Sequence, residues 1–368
     1  NLRRSTVAKK SEKITKKLED YQKNKPVQLL LFEMIGPEER KYSNTIELYD
    51  AIPKYHWGNV ERINGEFLRS FERPFEFRGI KYRVKIRPAR LDDKDGTDRD
   101  YYPSEREELV EDALRKLACD GKGLFLDDQA GVIFSLYELQ QELARMGHTY
   151  SIAQIKDALL ICAKTHMEVT TDDGAAVVIS SLFETLGLNT REDWKEHGKK
   201  AKAFVRFNIL VTNSIKNRTF RQLNYDKCMS YRRVISRRLH KRLSHHYIQA
   251  NMVNTYEILL STIIRDFGIK AYADIRNNLR EVKLALEEMK IKEVLSDYKV
   301  EKIFAPERKN RIIDAKFILS AHSRFISEMI HANERHKKIR EHTSIDSQWP
   351  KPEIPTLKET RRQRTRFK

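Results

Sequence analysis

The sequence predicts an α+β protein made of two tandem winged-helix domains, with a basic N-terminal arm and a basic C-terminal tail. Capped helices and β-rich runs follow one another in the order helix, strand, helix, helix, hairpin. The same order returns about 120 residues later. Positive charge is concentrated in one internal segment and at both ends. The predicted organisation is a basic arm over 1–42, a β-rich part over 43–100, winged helices over 101–203 and 204–342, and a basic tail over 343–368.

The part before the first winged helix contains one hairpin pattern. Residues 75–77 and 82–86 alternate apolar and polar side chains around Arg78 and Gly79, which is typical of a β-hairpin. A polar stretch over 92–100 then separates this hairpin from the first predicted helix.

The first winged helix is predicted from its helix caps. Ser104 and Ser135 each precede a glutamate by three residues, the spacing of a capping box, and Ser151 caps a third helix. A short strand over 131–134 comes before the second of these helices. Two β-rich runs around 172–174 (DDG) then complete the pattern as a hairpin.

The second winged helix repeats this order with a longer and more basic first helix. The expected elements are a strand over 204–211, a basic helix over 225–247, an apolar-striped helix over 256–267, a helix over 272–289, two strands around 293–300 and 312–318, and a last helix over 320–342. Gly268 is expected to end the third of these elements.

The charge distribution favours a polyanionic partner. The chain of 368 residues has a net charge of +18, and residues 1–25, 216–248 and 358–368 carry net charges of +6, +9 and +5. The rest is therefore close to neutral, and the positive field is focused. No run of 18 uncharged apolar residues is present, so no membrane partner is expected. Three widely spaced cysteines suit a reducing cytoplasm rather than a disulfide framework.

The helix over 272–289 is the predicted DNA reader. Its apolar stripe leaves Arg276, Arg280 and Lys283 on one exposed flank, with Asn277 and Asn278 beside them. Arginine can bind guanine through two hydrogen bonds and asparagine can bind adenine in the same way, so this mixture suits a major groove. The alternative is a solvated face on which the cations pair with glutamates of the same helix.

The basic helix over 225–247 is predicted to contact DNA phosphates. Six cations lie within eleven residues and repel one another unless a polyanion is close, although about half of them could instead cover apolar surface or pair with acids. The six are Arg232, Arg233, Arg237, Arg238, Lys241 and Arg242.

No catalytic, metal or cofactor site is predicted. His245 and His246 are adjacent, so on a helix they point about 100° apart and do not chelate one metal. The glycine-rich phosphate loop of an ATPase is missing from the sequence. A nuclease that becomes attached to DNA through Tyr247 or Tyr256 is the distant alternative.

Two phrases of the sequence resemble a known family. Residues 134–139 (FSLYEL) resemble the first winged helix of TrfA-type plasmid initiators. Residues 220–225 (FRQLNY) and 236–244 (SRRLHKRLS) resemble the start of the second winged helix in iteron-binding Rep proteins, with His240 where that family usually has tyrosine. The resemblance implies a replication initiator that binds direct repeats at a plasmid origin, melts an AT-rich element and recruits host helicase machinery. It also implies a homodimeric form that represses its own promoter.

A further short segment resembles a docking motif. Residues 28–32 (QLLLF) are similar to the QL(S/D)LF motif by which bacterial proteins bind the replication sliding clamp, with Leu30 in place of the usual serine or aspartate. The resemblance assigns clamp binding to Gln28, Leu29, Leu31 and Phe32. The alternative is an apolar strand of the first domain. For the whole chain, the rival to an initiator is a winged-helix transcriptional regulator that never opens DNA.

Overall fold

Two hydrophobic cores organise the chain. The computed structural model describes residues 41–58, 67–92, 96–126, 128–174, 176–188, 198 and 201–345. The first core is built mainly from residues between Ile46 and Met229, and the second from residues between Tyr231 and Ala332. The change of core therefore falls near residue 230, whereas the sequence pattern predicts that the second winged helix begins at 204.

The first core is covered by four antiparallel sheets and by helices packed between them. The elements are β1 (Tyr42–Ile46), α1 (Glu47–Ala51), β2 (Phe71–Phe77), β3 (Ile80–Arg87), β4 (Ala89–Asp92), β5 (Asp98–Tyr101), α2 (Glu105–Leu117), β6 (Gly123–Leu126), β7 (Gln129–Ser135), α3 (Leu136–Arg145), α4 (Ile152–Lys164), β8 (His166–Thr171), β9 (Val177–Ser181), β10 (Phe183–Gly187), β11 (Lys202–Phe207), α5 (Ile209–Lys216), β12 (Phe220–Asn224) and α6 (Tyr225–Met229). The four sheets have the strand orders β2-β3-β8-β9, β10-β11-β7-β6, β1-β12 and β4-β5. After α2 the chain turns over 118–122, where Gly121 has a φ of 90°.

The local sequence features that predicted this part are confirmed. Capping boxes begin α2 at Ser104, α3 at Ser135 and α4 at Ser151. The hairpin β2–β3 turns at Arg78 and Gly79, whose φ angles are 50° and 77°. Both residues are therefore in the left-handed region, as a tight two-residue hairpin turn requires.

The strand predicted over 204–211 is partly wrong. β11 ends at Phe207, and the Asn208 side chain accepts a hydrogen bond from the Leu210 N–H at 2.9 Å, which starts α5. β11 also pairs with β7 of the first winged helix, so this strand belongs to the first core.

The second core has the expected winged-helix order, and the α+β prediction with tandem winged helices is confirmed. The elements are α7 (Val234–His246), β13 (Thr255–Leu259), α8 (Leu260–Phe267), α9 (Ile275–Ile291), β14 (Leu295–Ala305), β15 (Arg308–Ala321) and α10 (Ser323–Ile345). The three strands form one sheet in the order β13-β15-β14. α10 joins the two cores, because Phe325 packs in the second and Ile339 in the first.

The prediction of one continuous basic helix over 225–247 is wrong, because the structure divides this segment into α6 and α7. The Ser230 hydroxyl donates to the Lys227 carbonyl at 2.8 Å, a local bond that competes with helix continuation. Tyr231 is buried and its hydroxyl lies 3.2 Å from His240 Nδ1, which turns the chain into the second core.

Among the described residues, no helix is both long enough and apolar enough to cross a bilayer.

Candidate nucleic-acid interface

Helix α9 presents cations on the side opposite to its apolar stripe. Leu279, Val282, Ala285, Leu286 and Met289 are buried in the second core. Arg276, Arg280 and Lys283 are exposed. The Asp274 side chain caps the helix by accepting the Arg276 N–H at 2.9 Å. The structure thus places these three predicted readers on one solvent-facing flank, and Asn277 beside them is half-buried.

The two residues before α7 add two more cations to this flank. Glu281 on α9 lies 3.1 Å from the Arg233 guanidinium and 3.6 Å from that of Arg280. Glu288 on α9 accepts the Arg232 N–H at 2.7 Å, while the Arg232 side chain is exposed. We call Arg232, Arg233, Arg276, Arg280 and Lys283 the α9 surface. These five cations outnumber Glu281 and Glu288, the two acids that contact them, so the surface can still attract phosphates.

The turn between α8 and α9 is fixed by a residue that sequence reasoning placed on the exposed flank. Asn278 is 8 % exposed, and its side-chain amide accepts the Tyr272 N–H at 2.8 Å and donates to the Tyr272 carbonyl at 3.0 Å. Gly268 ends α8 with a φ of 64°, as predicted. Tyr272 itself is 53 % exposed, and Lys270 is also exposed. Both side chains therefore lie immediately before the α9 surface.

Three of the predicted phosphate contacts are corrected by the structure. Arg237, Arg238 and Lys241 are at most 5 % exposed, so DNA cannot reach them. They face acids of α2 instead. The contacts are Arg237 to Glu105 at 2.6 Å and to Glu108 at 3.0 Å, Arg238 to Glu108 at 3.7 Å, and Lys241 to Asp112 at 2.6 Å. The polyanion that the basic helix requires is thus α2 of the same chain.

Charges on α7 and α2 hold one another ionised although they are buried. Burial alone would raise the pKa of the Glu108 carboxyl, but Lys241, Arg237 and Arg238 lower that pKa below its usual value. Burial likewise opposes the charged form of Lys241, and Asp112 and Glu108 raise its pKa. Together with Glu105, these five charged side chains therefore form a network that links the two winged helices.

Arg242, the remaining predicted contact on α7, is also engaged inside the protein. It is half-buried, donates to the Tyr256 hydroxyl at 2.8 Å and lies 3.1 Å from Asp266. Of the six predicted cations of the basic helix, Arg232 and Arg233 alone lie beside α9.

The first winged helix offers a weaker cationic face at the equivalent place. In α4, Gln154 is occupied in the capping box with Ser151, and Asp157 is exposed next to Lys156. Lys164 donates to the Arg90 carbonyl at 3.1 Å. The second winged helix is therefore the better candidate for reading DNA.

The remaining predicted sites divide into two groups. Two segments lie outside the described residues. They are the arm before residue 41, which contains Gln28, Leu29, Leu31 and Phe32, and the tail after residue 345. In the described part, Tyr247 is buried and its hydroxyl donates to the Asn254 carbonyl at 2.5 Å. No group of three or more histidine, cysteine or acidic side chains suited to a metal is found within that part.

Comparison with known proteins yields similarities among solved structures. The chain is similar to a crystal structure of domains 2 and 3 of RctB in selenomethionine form (9 % identity, TM-score 0.46, 75 % of this chain and 98 % of that chain). A second structure of RctB domains 2–3 gives 9 % identity, a TM-score of 0.44 and coverages of 78 % and 99 %. The Pi initiator protein in complex with iteron DNA gives 12 % identity, a TM-score of 0.41 and coverages of 59 % and 91 %.

These values carry no conclusion about what the chain binds. No protein-family model and no curated protein sequence matches the chain.

Proposed function

We propose that this chain binds duplex DNA in a sequence-dependent manner by inserting α9 into the major groove. The observation that supports this most directly is the exposed row of Arg276, Arg280 and Lys283 opposite a buried apolar stripe. A helix of this kind, preceded by a fixed turn and a shorter helix, is the reading element of helix-turn-helix proteins. Arg232 and Arg233 flank it and would contact phosphates.

We further propose that the DNA is a plasmid origin with repeated sites, and that the protein is a cytoplasmic replication initiator without catalytic activity of its own. This finer assignment rests on the phrases at 134–139 and 220–244. In the structure the first phrase spans the junction of β7 and α3, and the second lies on β12 and on α7. Helicase recruitment, a homodimeric form, contact with AT-rich single strands and promoter repression belong to the same proposal.

Sequencing the DNA that the purified protein selects from a random or plasmid library would test the origin assignment. Tandem direct repeats spaced by about two helical turns, roughly 20 bp, are the expected result. A lone palindrome next to a promoter would instead indicate a transcriptional regulator.

Incubation of supercoiled target DNA with the protein and Mg²⁺ should leave the DNA intact. A nicked product with attached protein would contradict the proposed absence of catalysis.

Replacing Arg276 or Arg280 by alanine should weaken binding to the selected sequence far more than binding to random DNA. Loss of a bidentate base contact costs about 1–3 kcal/mol of discrimination. The measurement is a pair of titrations, one on each DNA, for each variant. Lys81→Ala, an exposed lysine on β3 of the first domain, is the matched control and should change neither affinity much. Equal losses on both DNAs would show that α9 does not read bases.

The segment 28–32 is proposed to bind the sliding clamp. Burial of a leucine or phenylalanine side chain in a cleft contributes about 1.5–3 kcal/mol, so Leu31→Ala with Phe32→Ala should abolish a micromolar contact. Calorimetry with the clamp and a DNA titration should be made on the same double variant. Clamp binding should be lost while DNA affinity is kept. A double variant that loses thermal stability, from a parent that never bound the clamp, would show that the segment is part of the core.

A further inference from the structure

The first domain packs directly against the point where α8 ends. Gly268 has a φ of 64°, and a β-carbon on it would lie 2.7 Å from Arg73 Nη1 and 2.8 Å from Pro53 Cβ. The two domains therefore approach each other too closely here for any side chain. Beside this contact, the Trp57 indole N–H donates to the Phe267 carbonyl at 3.4 Å. The turn that leads into α9 thus begins at a place that the first domain holds.

Aromatic side chains of the first domain form a compact cluster next to this contact. The rings of His56 and Tyr102 are stacked with 4.9 Å between their centroids, and Phe71 meets Tyr102 edge-on at 5.1 Å. The Arg73 guanidinium lies 4.3 Å from the centroid of the Phe71 ring, and the Tyr102 hydroxyl donates to the Arg69 carbonyl. We call His56, Phe71 and Tyr102 the His56 cluster. Its three rings are half-buried, so the cluster is a packed support with one side open to solvent.

One exposed cation from each domain lies at this cluster. Arg69 comes from the first domain and Lys270 from the turn before α9, and both side chains are exposed. Burial lowers the pKa of His56, and the neighbouring cations, which include Lys270, lower it further. Glu72 points to the other face of β2, where it lies 3.1 Å from Lys85. The potential at the His56 cluster is therefore positive and suits an anion.

The position of this pair of cations matches one border of the groove that α9 would enter. The first residues of a recognition helix contact base edges, so the turn before it lies at the groove edge, beside a phosphate strand. Glu288, which accepts the Arg232 N–H, lies roughly 20 Å further along α9 than Ile275, at about 1.5 Å per residue. A major groove is about 12 Å wide. Arg232 and Lys270 thus lie near opposite ends of α9, as contact with both bordering strands requires.

We propose that Arg69 and Lys270 bind phosphates of one DNA strand at the edge of the groove that α9 enters, with the His56 cluster as their support. The inference rests on the proposed function, because α9 sets where the strand lies. It adds a phosphate-binding site that both domains build together. The first domain then contacts the DNA beside the bases that the second domain reads.

The dependence of DNA affinity on salt tests this site in the full chain. Each phosphate contact contributes about 0.9 to the slope of log affinity against log salt. Arg69→Ala and Lys270→Ala should each remove one such contribution, on the selected duplex and on a random duplex alike. A fourfold increase in salt should then cost each variant roughly 3.5-fold less affinity than it costs the parent protein. Arg69→Lys keeps the charge and should keep the slope, and Lys216→Ala, an exposed lysine on α5, is the matched control.

A second measurement locates the phosphates. Methylphosphonates, which remove the charge of a single phosphate, are placed one at a time along both strands of the selected duplex. The parent protein should lose affinity at a phosphate on the side of the first residues of α9. Arg69→Ala should lose less at that phosphate and as much as the parent at all others, because contacting groups are coupled and separate ones are additive.

The outcomes separate this site from the α9 assignment. Unchanged salt slopes for both alanine variants, or methylphosphonate effects that do not depend on Arg69, would overturn the phosphate site. A loss of affinity for a single-stranded oligonucleotide alone would also overturn it and would assign the His56 cluster to unpaired bases. If Arg276→Ala keeps its preference for the selected sequence, the proposed function fails. If that preference is lost while the Arg69→Ala slope is unchanged, this inference alone fails.

Discussion

Asn278 shows how one buried side chain can set the geometry of an exposed surface. Its amide bonds both backbone groups of Tyr272, so the turn between α8 and α9 has a fixed shape. The same bonds leave the Tyr272 ring and Arg276 facing solvent in a defined relation. A surface that reads DNA needs such support, because misplaced groups gain little from contacts of correct chemistry.

Asn278→Ala should reduce preference for the selected DNA sequence without removing any side chain of the α9 surface. Two backbone groups of Tyr272 lose their partners, which costs about 1–3 kcal/mol if they stay shielded from water. Thermal unfolding and paired DNA titrations would measure the two effects. Asn278→Asp keeps the acceptor and should lose less. An Asn278→Ala protein with unchanged preference would show that the turn does not position the reader.

The packing of α2 against α7 explains why a strongly basic helix is stable in the interior. Each helix alone would suffer from repulsion between like charges, and each supplies the opposite charge to the other. Buried ion pairs contribute little net stability compared with apolar packing, but removal of one partner leaves an uncompensated charge. The network therefore acts mainly to specify how the two winged helices pair.

Arg237→Ala should destabilise the protein by about 3–5 kcal/mol, since Glu105 and Glu108 would lose the guanidinium between them. Arg237→Met keeps most of the side-chain volume and should be nearly as damaging, because charge rather than volume is lost. Lys283→Ala, on the exposed flank of α9, should change the free energy of unfolding by less than about 0.5 kcal/mol. Urea unfolding of the three variants provides the measurement. A loss below about 1 kcal/mol for both Arg237 variants would contradict the network.

Sequence reasoning succeeded where the deciding interactions are local and failed where they come from distant residues. The caps at Ser104, Ser135 and Ser151 and the apolar stripe of α9 depend on neighbours within a few positions, and all are found. Whether Arg237 faces solvent depends on α2, more than a hundred residues earlier. The five acids within residues 105–112 were the pattern that could have indicated this partner.

The proposed α9 surface was predicted only in part, for the same reason. Arg276 and Arg280 follow from helix periodicity, whereas the buried place of Asn278 depends on the turn against which it packs. The exposed tip at Ile303 and Phe304 lies beyond the end of the predicted strand at 300, because cross-strand pairing with β15 extends β14 to Ala305. Alternation along one strand alone does not reveal where such pairing ends.

The junction between the cores contains two neutral histidines that make the whole protein sensitive to acid. Burial lowers the pKa of His240 to about 3, helped by Lys227. Burial also lowers the pKa of His245 to about 3, in spite of the opposing effect of Asp50. An unfolded chain would protonate both near their usual pKa of about 6.5. The folded form is therefore favoured in full above that pH and loses this advantage as the pH falls toward 3.

The free energy of unfolding should decrease below pH 6.5 by about 1.4 kcal/mol per pH unit for each of these histidines. Chemical denaturation between pH 7.5 and 5 would measure the slope. His245→Gln should reduce it by about half. His331→Gln is the control, because that side chain is 67 % exposed. A parent protein whose stability stays constant over this range would contradict the burial of neutral histidines at the junction.

The pairing of β1 with β12 has a consequence for how the protein is made. Tyr42 lies opposite Asn224, so the partner of β1 leaves the ribosome on the order of 180 residues later. At about 5–20 residues per second, β1 waits roughly 10–40 s for that partner. Throughout this interval the backbone N–H and C=O groups of β1 lack the partner strand. They can therefore pair with other nascent chains that are being made on the same messenger RNA. Slow translation of the segment before Asn224 would lengthen this exposure and favour aggregation, whereas binding of β1 by a chaperone would protect the chain until β12 emerges.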